Sequence, residues 1–161
     1  MECFGEVSFV EAGGGSLQDW AAMMQRDNLV LYVDCCNSMD PYRLYRVSGS
    51  EESLNRVLVA RPFTLYQLRE LVLNKLEKMV QETGAKVVML SGVGFYGLDD
   101  PFDKEEWSVV WSQVYGRLKA LAKDYHLLAL VSDGGRFDGQ DGEDRLDADN
   151  RGSSCRSATG G

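Results

Sequence analysis

Five short apolar runs, separated by stretches with helical spacing, constrain the fold of this chain more than any other feature. They cover residues 7–10, 29–33, 56–60, 86–90 and 127–131. The last four are nearly continuous in apolar residues, as strands covered on both faces should be. Between them, Leu65, Leu68, Leu71, Val72, Leu76, Met79 and Val80 share one helical stripe, and Thr83-Gly84 supplies a stop. A second stripe joins Trp107, Val110, Trp111, Val114, Leu118, Leu121 and Tyr125. Asp103 suits the cap of that helix, Glu105 and Glu106 its first turn, and Lys119 and Lys123 its last turns. A shorter helix is expected over 41–47. Strand, helix, strand in alternation predicts an α/β fold: a mainly parallel five-stranded sheet flanked by helices, with right-handed crossovers.

The chain divides into an α/β domain over residues 1–134 and a tail over 135–161. The tail is acidic and Gly-rich, with only Phe137 and Leu146 as sizeable apolar residues, so it is expected to be disordered. The net charge of -8 and a pI near 4.7 argue against autonomous nucleic-acid binding, which needs a clustered basic surface. No apolar run is long enough to span a bilayer, and no basic segment followed by an apolar one opens the chain. A cytoplasmic protein is expected (nuclear if the source is eukaryotic). Cys3, Cys35, Cys36 and Cys155 form no C-x-x-C pair, and His126 is the lone histidine, so no zinc site is expected. Free thiols in a reducing compartment are the simple reading of the cysteines. A thiol redox sensor built on Cys35 and Cys36 is an alternative.

A strand over residues 5–10 and a helix over 20–26 flank the segment Ala12-Gly13-Gly14-Gly15-Ser16-Leu17-Gln18-Asp19. This is where a phosphate-binding loop, G-x-x-x-x-G-K-[ST], would stand. Ala12 and Leu17 occupy its glycine positions, Gln18 its lysine and Asp19 its Ser/Thr. Such a loop works because glycine lets backbone N–H groups surround phosphate, while Lys neutralises charge and a hydroxyl holds magnesium. Gln18 brings no charge. A carboxylate at Asp19, about 5 Å from a phosphate at an effective dielectric of ~20, repels it by roughly 3 kcal/mol. That is on the order of a hundredfold in affinity. The simpler role for Asp19 is a first-turn carboxylate stabilising its helix. Gly13-Gly14-Gly15 is either a residual anion nest or only a turn.

Further blocks follow in order. Tyr32-Val33-Asp34-Cys35-Cys36-Asn37-Ser38-Met39-Asp40-Pro41-Tyr42-Arg43-Leu44 closes the second strand. Val59-Ala60-Arg61-Pro62-Phe63-Thr64 closes the third, Val87-Val88-Met89-Leu90-Ser91-Gly92 the fourth and Val131-Ser132-Asp133-Gly134 the fifth. Together with the degenerate loop, these blocks resemble the RecA/RadA family of recombinase ATPases, nearest its archaeal and eukaryotic branch and the non-catalytic paralogues. Tyr32, Asp34, Pro41, Arg43 and Leu44 match the family's second block. The resemblance implies a RecA-like P-loop NTPase core, truncated on its C-terminal side, from about Gly5 to Gly134. It puts the family's catalytic Glu at Cys36 and its magnesium-holding Asp at Ser91. Every position that would touch phosphate, magnesium or water is therefore replaced.

The resemblance implies a non-catalytic paralogue: a protein-interaction accessory subunit in homologous recombination or DNA repair, without catalytic residues or cofactor. Its expected partner is a RecA-family recombinase or another paralogue, which would cover the sheet edge left open by the missing strands. The alternative is a residual ATP-binding protein, with Asp34 or Asp133 holding the magnesium of ATP/Mg. Asp19, Asp34, Asp99, Asp100 and Asp133 all fall near C-terminal strand ends, where ligands of open α/β sheets bind. Solvated turns and helix starts account for them equally, and no metal site is assigned. The loop 97–106 is acidic where the family contacts DNA. Phe9-Val10-Glu11-Ala12 matches the family's F-x-x-A docking pattern, but its place on the first strand marks a coincidence. His126 is read as a helix C-terminal residue, and Trp107 and Trp111 as core. Tyr42 and Tyr45 are candidate partner anchors.

Overall fold

The computed structural model describes residues 4–10, 17–97 and 104–133. The five apolar runs form one sheet: β1 (Glu6–Phe9), β2 (Val30–Asp34), β3 (Val57–Ala60), β4 (Val87–Ser91) and β5 (Leu128–Ser132). Its order is β1-β5-β4-β2-β3, with every neighbouring pair parallel. The helices are α1 (Leu17–Met24), α2 (Pro41–Ser48), α3 (Ser53–Arg56), α4 (Leu65–Glu70), α5 (Leu76–Thr83) and α6 (Lys104–Tyr125). The short α3 has no counterpart in the sequence expectation. Asp103, Gly134 and the residues of the 135–161 tail lie outside the described residues.

Alternate strand residues point to opposite faces. Leu31, Val33, Val88, Leu90, Ala129 and Val131 pack with α4, α5 and α6. Val30, Tyr32, Val87, Met89, Leu128 and Leu130 pack with α1 and with Leu44 of α2. Strands β2 and β4 are buried along their whole length, which explains their unbroken apolar sequence. Strand β3 departs from the expectation of cover on both faces. It is an edge strand, and Leu58 and Val59 are 36% and 42% exposed.

The stripe beginning at Leu65 is a single helical rod interrupted by a π turn over Leu71–Lys75. Its buried residues Leu68, Val72, Leu76 and Val80 step by four. In an uninterrupted α-helix each such step rotates away from the core, because a turn holds 3.6 residues. The wider π turn offsets that drift. Gly84 closes the rod in the left-handed conformation, φ 69, as the Thr83-Gly84 stop requires. Helix α6 lies alongside. Arg117 Nη2 and the Tyr125 hydroxyl both donate to Glu77, at 2.7 and 2.9 Å, tying α6 to α5. Trp107 and Trp111 are buried and stacked, their centroids 5.8 Å apart, in line with their reading as core. His126 ends α6 with φ 53, and Leu127 N donates to Ala122 O at 2.8 Å.

Leu118 is wholly buried between α6 and the sheet. Leu118→Ala should lower unfolding free energy by about 2–5 kcal/mol, measured by urea denaturation. A loss below about 1 kcal/mol would mean that α6 does not seal this face.

Candidate functional site

The register brings Asp34 of β2, Ser91 of β4 and Ser132 of β5 to one edge of the sheet. From β2 the chain passes to α2, on the α1 face; from β4 it passes to α6, on the opposite face. Chains leaving neighbouring strands toward opposite faces open a crevice at their C-terminal ends, where open α/β sheets bind ligands. Among the described residues, contacts within the chain run across this edge.

Asp34 lies at its centre, with its side chain fully buried. One carboxylate oxygen accepts from Ser38 N and the other from Met39 N, each at 3.0 Å. Arg61, leaving β3, brings its Nε to 3.4 Å from the same carboxylate. A buried carboxylate needs such partners, and these satisfy it without an outside cation. Beyond β2, Cys35 N donates to Ser91 O at 2.9 Å, continuing the strand pairing by one residue. Gly92 follows with φ 74, and Cys36 presses on it. A Cβ added at Gly92 would sit 2.5 Å from Cys36 Sγ and 2.7 Å from Cys36 Cβ.

Cys35 and Cys36 lie in the turn after β2. Both carry free thiols. Cys35 is buried against Tyr96, whose hydroxyl donates to Pro62 O. Burial pushes the Cys35 thiol far up, with the Tyr96 hydroxyl opposing the shift. Burial also raises Tyr96, with Cys35 adding to it. Cys36 is half-buried, and its Sγ lies 2.9 Å from Ser38 Oγ. Tyr32 is raised from its ordinary 10.0 to about 12, mainly by burial, with the Ser91 hydroxyl opposing the shift.

The positions of the degenerate loop have their own partners. Helix α1 begins at Leu17, three residues before the expected start at Trp20, so Gln18 and Asp19 occupy its first turn. Leu17 packs into the core beside Val30 and Tyr32. Gln18 is buried: its amide donates to Asp40 O, and Asp40 N donates to Gln18 Oε1 at 3.2 Å. Asp19 accepts from Arg43 Nε and Nη2 at 2.8 and 2.7 Å, a two-pronged ion pair. Arg43 therefore offsets much of the charge on which the like-charge repulsion expectation rests. Ala12, Gly13, Gly14, Gly15 and Ser16 lie outside the described residues, as do Asp99 and Asp100. Asp133 follows β5, and its main-chain oxygen accepts from Gly94 N at 3.2 Å.

The structure thus gathers Asp34, Cys36 and Ser91 at the crevice and sets Gln18 and Asp19 on its α1–α2 flank. Sequence reasoning missed Arg61, Gly92 and Tyr96. Arg61 stood in a quoted block, and its single charge among apolar neighbours was the one available signal. Among the described residues, no group of three or more His, Cys, Asp or Glu converges as metal ligands, and no helix is long and apolar enough to cross a membrane. No protein-family model matches the sequence, and no curated protein matches it either.

Gly92→Ala should destabilise the fold by about 1–3 kcal/mol, through backbone strain and the clash with Cys36. Cys36→Gly added to it should recover only the clash component, because the left-handed φ persists; urea titrations of the two variants separate these terms. A second outcome concerns pH. Cys35, Tyr32 and Tyr96 hold their protons more tightly folded than unfolded. The stability they contribute is whole below their ordinary values and is lost as pH rises past them, for Tyr32 between about 10 and 12. Stability should fall above pH ~9 with a slope of about 1.4 kcal/mol per pH unit for each group titrating. Tyr32→Phe should flatten the decline above pH ~10; an unchanged slope would exclude Tyr32 from it.

Proposed function

We propose that this chain is a non-catalytic RecA/RadA-like paralogue, acting through protein contacts as an accessory subunit in homologous recombination or DNA repair. The observation that carries this reading is the fate of the phosphate-loop positions. Gln18 and Asp19 are committed to Asp40 and Arg43, and neither offers a free cation or a hydroxyl to a nucleotide. Cys36 stands against Gly92, and a thiol there orients no attacking water as a carboxylate would. Asp34, the residue best placed to hold magnesium under the ATP/Mg alternative, is fully engaged by Ser38, Met39 and Arg61.

What the chain presents outward supports contact with another protein. Strand β3 has an outer edge with no pairing strand among the described residues. Exposed apolar side chains occur on it and on neighbouring segments of the chain: Leu58 and Val59 on β3, Phe63 before α4, Leu54 on α3, and Tyr42 and Tyr45 on α2. Tyr42 and Phe63 are 79% and 74% exposed. Tyr is enriched at binding hot spots, and an unpaired edge strand flanked by apolar residues is costly to leave open. A RecA-family recombinase or another paralogue is the occupant this reading assigns to it.

Pull-down from native cells should recover a recombination or repair protein, and Phe63→Asp with Tyr42→Ala should abolish the capture while leaving the thermal midpoint unchanged. Isothermal titration with millimolar Mg-ATP should give no binding heat. Recovery of no such protein, or saturable heat from Mg-ATP, would overturn the proposal.

A further inference from the structure

Helix α2 has little to hold it by apolar contact. It spans eight residues, too few to be stable alone in water, and Leu44 is its one fully buried side chain. Its outward residues include Tyr42 and Tyr45. Its position is fixed instead by polar contacts at its N-terminal half. Asp40 caps it, accepting from Tyr42 N at 2.9 Å, and Pro41 occupies its first turn. The Gln18 amide grips the main chain of that cap residue on both its N–H and its carbonyl. One helical turn later, the Arg43 guanidinium closes on Asp19. The two residues that stand where a phosphate loop would have Lys and Ser/Thr thus hold both ends of the first turn of α2.

We infer that Gln18 and Asp19 are positioning residues for α2, setting the register and tilt at which Tyr42 and Tyr45 meet a partner. This rests on the protein-interaction reading above. The chemistry fits the task. A primary amide carries both N–H donors and a carbonyl acceptor, which is what the C=O and N–H of a single residue require. Lysine has only donors and would leave the Asp40 N–H without its acceptor. A carboxylate meets guanidinium in a planar two-bond pair that fixes orientation as well as distance, as a hydroxyl would not. Replacement at these two positions therefore exchanges a ligand-holding turn for a helix-holding one.

The test uses the full chain and reads two quantities: hydrogen–deuterium exchange over residues 40–48, and affinity for a purified RecA-family recombinase. Gln18→Leu and Asp19→Arg should each speed exchange in α2 at least tenfold while β2, β4 and β5 stay within twofold. Each should weaken recombinase binding at least tenfold. The charge swap Asp19→Arg with Arg43→Asp should restore both quantities to within about threefold, which a merely damaged fold would not do. Unchanged exchange in α2, or loosening spread equally over the sheet, overturns the inference. Loosened α2 with undiminished binding refutes the positioning role alone. An unaltered chain that fails to bind the recombinase refutes the accessory-subunit reading and the role of α2 within it.

Discussion

The buried carboxylate of Asp34 is the constraint on which the upper edge of this sheet depends. A carboxyl group with no solvent contact must find its partners within the chain, and those partners shape the surrounding backbone. Two consecutive N–H groups, from Ser38 and Met39, have to turn inward, which folds residues 35–39 back over the end of β2. Arg61 has to lean across from β3. The loop so shaped delivers Asp40 to Gln18 and presses Cys36 onto Gly92. The α1–α2 contact, the approach of Cys36 to Gly92 and the exit of β3 all adjoin the partners of this one carboxylate.

A ligand-binding edge of an α/β sheet ordinarily leaves polar groups unsatisfied until the ligand arrives. Here Asp34, Gln18 and Asp19 are each satisfied by partners within the chain. Displacing the amide grip of Gln18 or the ion pair of Asp19 would leave their partners unpaired. The cost of leaving a buried donor or acceptor unpaired, about 1–3 kcal/mol for each, would be set against binding. Inward satisfaction at the strand ends and outward apolar exposure along β3 are complementary features.

Much of the architecture was legible in the residues. The unbroken apolar runs of β2, β4 and β5 announced strands covered on both faces, and the stripes from Leu65 and Trp107 announced two helices against one side of the sheet. Both follow from burial alone, and burial is written into residue type. The reading of β3 as a covered strand went astray because Val57-Leu58-Val59-Ala60 is as apolar as its neighbours, and sequence carries no mark of which strand ends at an edge. The early start of α1 was hidden because Leu17, Gln18 and Asp19 were aligned with a loop pattern, when the apolar contact of Leu17 already belongs to the helix. Asp34 and Gln18 stood out in the sequence, but not their partners, which lie 27 residues away for Arg61 and 22 for Asp40. No local pattern pairs residues at that separation.

By itself, then, the sequence determined the class of fold, the five strands and the two long helical faces, because each depends on the type and spacing of nearby residues. Tertiary structure alone decided the strand order, the edge position of β3 and the approach of Cys36 to Gly92. It also decided the partners of Asp34, Gln18 and Asp19. These are contacts between segments far apart in the chain, and their geometry exists only once the parallel register has set the strand ends side by side.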